Sequence, residues 1–227
     1  MRITKKNGYN IFFTDKGAFL NDLIFTDKLK DFVVKQLSTE NEKREVFLID
    51  YHGRKFVIKR DREIDRRFEK KLQSFIFASC NVKMMKKLRE YEKELTHVTT
   101  MIHFLAEKRR FRRVIDSYIA YEYIEGTPLK SIDDSNKHAV AKCISTLHKC
   151  DLASNDIHCG NFILDKDRNL KVIDLSIKGS LLRCKANDLV LLNDKYGIKP
   201  SRENMAYHLV SIRNKIRRTL KKMRSHK

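Results

Sequence analysis

Residues 44–60, REVFLIDY-HG-RKFVIKR, constrain the fold more than any other stretch. Two runs of β-branched and aromatic residues are separated only by His52-Gly53. A two-residue connection leaves no room for a crossover, so the runs pair antiparallel as a hairpin. Three similar runs follow the same logic: DFVVKQLS (31–38), TMIHFLAEK (100–108) and DSYIAYEYI (116–124) read as further strands. Between them, from Arg62 to about Leu95, the spacing turns helical. Phe68, Leu72, Phe75 and Ile76 share one face, as do Met84 or Met85, Leu88 and Tyr91. The pattern fits one helix or two broken near Asn81.

Glu125-Gly126-Thr127-Pro128 interrupts the order. Beyond it, Asp134 or Ser135 is placed to cap a helix carrying Val140, Ile144 and Leu147 on one face. NFILD and LKVIDLS then form two short strands around the turn Lys166-Asp167-Arg168-Asn169, and from Asp188 onward the spacing is helical again. The expected architecture is α+β in two lobes: a small β-rich lobe over 1–125 and a mostly helical lobe over 126–227.

A chain of 227 residues with 41% apolar content can bury a real core. No apolar run reaches the ~20 residues that cross a bilayer. The start, MRITKKNGYNIFF, lacks the apolar centre of a secretory signal, so the expected location is the cytosol. Five cysteines, with no C-x-x-C pair, read as free thiols. Cys143, His148, Cys150, His158 and Cys159 fall close together, but zinc sites usually show paired short spacings, which argues against that metal. The net charge of +20 favours a polyanionic partner: nucleic acid, acidic lipid or a phosphorylated substrate. Without zinc-finger spacing, an aromatic RNA-binding motif or Gly-Arg repeats, nucleic acid is the weakest of these.

Phosphoryl transfer needs a cation for the nucleotide phosphates, a carboxylate for the attacking hydroxyl, and oxygen ligands for Mg²⁺. Protein kinases place these in a fixed order: a strand Lys, a loop Asp with an Asn five residues later, then an Asp after another short strand. Here Lys59 ends KFVIK, Asp156 and Asn161 stand five apart in SNDIHCGNFIL, and Asp174 ends LKVID thirteen residues past the Asn. YEYIEG (121–126) falls where a link between lobes belongs. Each residue alone has an ordinary explanation as a turn, cap or solvated charge; the joint order and spacing carry the signal.

On these residues the chain resembles the protein-kinase-like superfamily. DIHCGN is most similar to the D-x-H-x-G-N loop of small-molecule and sugar kinases. LAEKRRFRRV, YEYIEGTPL and the basic character resemble the lipopolysaccharide core heptose kinases, specifically those acting on the second heptose. The resemblance implies ATP and Mg²⁺ as cofactors. It implies Asp156 as the group that takes or aligns the sugar hydroxyl's proton, and Asn161 and Asp174 as metal ligands. Lys59 falls to the α- and β-phosphates, main-chain groups of Glu122 and Ile124 to the adenine edge, and Ile163 to its underside. His158 steadies the loop or approaches the phosphates, and Asp188 braces the loop from the following helix. The implied partner is a lipid-linked anionic core precursor, met by a cytoplasmic protein peripheral at the inner face of the inner membrane.

The chain departs from the protein-kinase pattern in its first loop, STENEK, which has no glycine, with Lys43 or Arg44 as the cations at hand. Asp174-Leu175-Ser176 stands for Asp-Phe-Gly, and the Glu expected beside Lys59 has Glu69 and Glu90 as its nearest helical candidates. Two other readings follow: a protein or other small-molecule kinase, or a catalytically weak kinase-like protein that binds polyanions. Near the end, Leu209, Ile212, Ile216, Leu220 and Met223 form a helical stripe among Arg213, Lys215, Arg217, Arg218, Lys221 and Lys222. It fits either a helix docked on the second lobe with a solvated face, or one lying on an anionic membrane or glycan.

Overall fold

The structure, a computed structural model, describes residues 1–40, 44–62, 79–111, 113–176, 180–200 and 203–225. The chain divides into two compact units, residues 1–90 with 100–124, and residues 91–99 with 125–227.

Among the described residues, the first unit is built on a seven-stranded antiparallel sheet. Its strands are β1 (Arg2–Lys6), β2 (Tyr9–Phe13), β3 (Val33–Glu40), β4 (Arg44–Tyr51), β5 (Arg54–Asp61), β6 (Ile102–Arg110) and β7 (Arg113–Glu122), in spatial order β1-β2-β6-β7-β5-β4-β3. The β4–β5 hairpin turns at His52-Gly53, both with positive φ, as expected of a two-residue connection. A second hairpin, β1–β2, turns the same way at Asn7-Gly8. It is absent from the sequence reading, although Asn-Gly between two short runs is its usual signal.

Strand alternation divides the sheet into two faces. Ile11, Ile49, Phe56, Ile58, Phe104, Ala106, Tyr118 and Ala120 point to one face. Leu20 and Leu23 of α1 (Leu20–Leu23) join that core with Ile24. On the same face Asp116 ties three strands together. Tyr9 Oη donates to its Oδ2 at 2.7 Å, Arg60 Nη2 donates to the same oxygen at 3.1 Å, and the Arg60 guanidinium lies 4.6 Å from the Tyr118 ring centroid. Burial and the Asp116 carboxylate push the Tyr9 hydroxyl well above its ordinary range.

The opposite face carries Lys59 and Glu107, each one residue out of phase with that core. Glu107 is fully buried; it accepts from Ser79 Oγ, just before helix α2 (Cys80–Glu90), and pairs with Arg109 at 2.7 Å. Met84, Met85 and Leu88 of α2 are buried, as their spacing implies. The helix starts ahead of Asn81 and ends at Glu90, so Tyr91 begins the next turn rather than closing this one. Phe68, Leu72, Phe75 and Ile76 lie outside the described residues.

In the second unit, α3 (Glu92–Leu95) precedes a small antiparallel sheet in the order β10-β9-β8, formed by β8 (Gly126–Pro128), β9 (Phe162–Asp165) and β10 (Leu170–Val172). The helices are α4 (Lys137–Lys149), α5 (Leu181–Tyr196) and α6 (Met205–Ser225). Val140, Ile144 and Leu147 of α4 are buried as expected, with Phe162 and Val172. The start of α4 differs from the sequence reading. Asp133 accepts from the Ser135 main-chain N–H and both neighbouring Ser hydroxyls, making a turn, and Asn136 becomes the first flanking residue. Those hydrogen bonds hold the Asp133 carboxyl below the usual range.

The apparent break at 125–128 contains the strand β8, Gly126–Pro128. A Cβ on Gly126 would lie 2.3 Å from the Leu164 carbonyl oxygen, so only glycine permits this close pairing. Among the described residues, no helix is long and apolar enough to cross a membrane.

Candidate active site

The second unit gathers Asp156, His158, Asn161 and Asp174 on one connected piece of backbone. After α4 the chain runs through Leu152 and Ala153, both fully buried, and reaches Asn155 at φ +63°. Asparagine tolerates this left-handed conformation better than most residues. The turn is held from α5. Asp188, with no exposed surface, accepts the Asn155 main-chain N–H at 2.6 Å and the Ser154 N–H at 3.0 Å. His148 Nε2 lies 3.0 Å from the same carboxylate, placed to donate to it. Asn187 Nδ2 donates to the Asn155 carbonyl at 3.1 Å and its Oδ1 accepts from Asn214 of α6. A buried carboxylate with this many donors is satisfied rather than costly, and it fixes the backbone just before Asp156.

Beyond that point the loop is held differently. Tyr196 Oη and Lys195 Nζ, at the end of α5, both reach the Ile157 carbonyl at 3.4 Å. Burial raises the Tyr196 hydroxyl above its usual value, with Cys159 and Asp156 adding to the effect. The Asp156 side chain itself is two-thirds exposed, with His158 Nε2 3.8 Å from its Oδ2. Its main-chain carbonyl accepts from Asn161 Nδ2 at 2.9 Å. Asn161 is buried at the end of the 3₁₀ turn Cys159–Asn161, with its amide nitrogen committed, so Oδ1 is the atom it can offer a cation.

Asp174 follows β10 at φ +60°. The chain is tethered on each side of it: Ile173 N–H donates to the Asn161 carbonyl at 2.8 Å, and Ser176 N–H to the Ala153 carbonyl at 3.0 Å. A main-chain bond thus ties Asn161 to Ile173, the residue before Asp174. The side-chain oxygens of Asn161 and Asp174 are hard donors few in number, which suits Mg²⁺, an ion that keeps waters and substrate phosphates as its other ligands. Among the described residues, no group of three or more His, Cys, Asp and Glu is placed to hold a metal ion by itself.

Ile163 sits in β9 opposite Pro128 and Lys171, its Cγ2 2.7 Å from where a Gly126 Cβ would be. Lys59, Glu122 and Ile124 belong to the first unit. Lys59 Nζ lies 5.4 Å from the Tyr121 ring centroid. Glu122 N–H donates to the Met101 carbonyl at 2.9 Å and its own carbonyl accepts from Thr100 Oγ1 at 2.6 Å, so one lone pair of that oxygen is already used. Of the glutamates considered for Lys59, Glu90 pairs with Lys87 at 3.1 Å, and Glu69 lies outside the described residues, as does Lys43. Arg44 pairs with Asp61 across the β4–β5 hairpin at 3.4 Å. The sequence reading missed Asn187, Asn214, Lys195 and Tyr196, because nothing local marks a helix residue as the brace of a distant loop.

The β-sheet unit, the D-x-H-x-x-N loop and the Asp after the β9–β10 hairpin define a protein of the protein-kinase-like class. A solved structure titled "WaaP in complex with acyl carrier protein" shares the fold at a TM-score of 0.52 and 17% identity, covering 79% of this chain and 78% of that one. The chain belongs to the WaaY family of lipopolysaccharide core biosynthesis proteins, whose model matches residues 1–226. Among its relatives is the lipopolysaccharide core heptose(II) kinase WaaY of Escherichia coli strain K12, 27% identical over 223 residues and covering 94% of each chain. Another Escherichia coli protein of the same name is 24% identical over 220 residues, covering 96% of this chain and 95% of its own.

Proposed function

We propose that this chain is an ATP-dependent kinase that phosphorylates a heptose, the second one, of the lipopolysaccharide inner core. The observation that carries the reading is the braced loop: Asp188 and Asn187 fix the backbone before an exposed Asp156, and one main-chain bond links Asn161 to the Asp174 segment.

In this reading Asp156 accepts the proton of the attacking heptose hydroxyl at its carboxylate, or holds that hydroxyl in line. Asn161 Oδ1 and the Asp174 carboxylate would hold Mg²⁺, which would neutralise charge on the phosphate oxygens. His158, beside Asp156, steadies the loop or approaches the phosphates, and Ile163 supplies an apolar surface for the adenine. From the first unit, Lys59 neutralises the α- and β-phosphates, and the main chain of Glu122 and Ile124 meets the adenine edge. The acceptor is a lipid-linked glycan carrying phosphates and acidic sugars, and the net charge of +20 favours its capture. Such a substrate places the protein peripherally at the inner face of the inner membrane.

The test is mass spectrometry of the core oligosaccharide from cells lacking the gene. The reading expects loss of one phosphate, restored by the wild-type gene and not by Asp156→Ala. Core glycan of unchanged mass overturns it.

A further inference from the structure

Helix α6 presents two faces of unlike character. Tyr207 and Val210 are buried against Ala186 and Val190 of α5. Asn214 Nδ2 donates to Asn187, and Arg218 Nη2 to Asp194 at 2.9 Å. These contacts settle which side of the helix is docked. The side turned away carries Met205, Leu209, Ile212, Ile216, Leu220 and Met223, each between 48% and 79% exposed. At 100° per residue these six fall within one narrow stripe, about 27 Å long at 1.5 Å per residue.

Single exposed apolar residues are ordinary, but a continuous row of six is not. Arg213 and Arg217 border the stripe on one side and the exposed Lys215 on the other. From Met205 to Ser225 the sequence holds seven Lys and Arg and no Asp or Glu. A stripe meant for this chain's own core would be covered. One meant for a second copy would bring two bodies of charge +20 together along cationic rims, which repel. An apolar row edged by cations matches one surface best: the headgroup boundary of an anionic bilayer, where the row sinks among acyl chains and the cations meet lipid phosphates.

We infer that the exposed face of α6 is a membrane-docking surface for anionic lipid. The inference rests on the proposed function for its biological setting, since a lipid-linked acceptor is found only at such a surface, but its evidence is the helix itself.

The experiment uses the full chain with phosphatidylcholine vesicles, with and without phosphatidylglycerol, read by co-sedimentation. Wild type is expected to bind the anionic vesicles, less so as salt rises. The triple variant Leu209→Ser, Ile212→Ser, Ile216→Ser is expected to bind at least about tenfold more weakly, given what each buried apolar side chain contributes. Its sites are exposed, so the fold should survive. The pair Lys215→Glu, Arg217→Glu tests the charged rim independently and should also lose anionic selectivity. Asp156→Ala should bind vesicles as wild type does, and the triple variant should still phosphorylate delipidated core glycan. Failure of docking and failure of the kinase reading are thereby separated. Equal binding to neutral and anionic vesicles, vesicle binding untouched by the triple variant, or a dimer that those substitutions dissolve would each overturn the inference.

Discussion

The sheet of the first unit and the loop around Asp156 in the second are held by opposite means. The sheet depends on shape: Ile11, Ile49, Ile58, Phe104 and Ala106 are fully buried, in register across antiparallel neighbours. The loop buries its brace and leaves the Asp156 carboxylate in solvent. Its backbone turns through left-handed Asn155 and Asp174, held by Asp188, Asn187 and main-chain tethers. Apolar contact is forgiving and shared among many atoms. A polar brace is carried by a few atoms, and loss of one leaves its buried partners unpaired. The contrast teaches that sheet substitutions should change stability alone, the exposed loop carboxylate activity alone, and the buried brace both.

The sharpest break of that contrast is Asp156→Ala. Removal of the proposed acceptor carboxylate should cut kcat by about 10²- to 10⁴-fold, while the thermal unfolding midpoint stays put because the side chain is exposed. Steady-state kinetics beside calorimetry would read both, and a large fall in stability would undo the separation. Next comes Asp188→Ala, which strands two main-chain N–H groups and His148 in a buried place. It should cost about 3 kcal/mol of stability in denaturant titration and lower kcat as well. If the variant loses neither, Asp188 is not the brace. On the sheet side, Ile11→Val should cost only about 1 kcal/mol and leave kcat and KM unchanged, since the methylene it removes belongs to a core remote in sequence from the loop.

A pH-dependent effect concerns Cys143, whose thiol donates to the Leu170 carbonyl at 3.0 Å. Burial pushes this thiol up to about 11 from an ordinary 9.0. A raised folded value means the group adds stability that is fully present below pH 9.0 and lost as pH climbs through about 11. Unfolding free energies of wild type and Cys143→Ala should therefore converge over that alkaline window. A difference that stays constant would show the thiol titrating normally.

Much of this was legible in the sequence where local rules decide the outcome. Strands β4 and β5 match REVFLIDY and RKFVIKR closely, because alternation and a two-residue turn leave little freedom. The spacing of Asp156, Asn161 and Asp174 was readable for the same reason: a loop and a tight hairpin keep spacing short. Strand β8 was not, since Gly126 and Pro128 look like a break until Leu164 is placed against them. The capping of α4 shifted because Asp133 found three donors earlier in the chain. Asn187 carries no local mark of its role, which exists only once α5 lies beside the loop. The stripe on α6 was visible as a pattern, but which way it faces is a fact of tertiary structure, set by Tyr207, Val210 and Asn214.

The central claim is tested most directly by incubating the purified full chain with Mg-ATP and delipidated core glycan, then locating any new phosphate by tandem mass spectrometry. Wild type should place one phosphate on the second heptose, and Asp156→Ala none above background. Phosphate on another sugar, no transfer at all, or transfer by Asp156→Ala at the wild-type rate would contradict it.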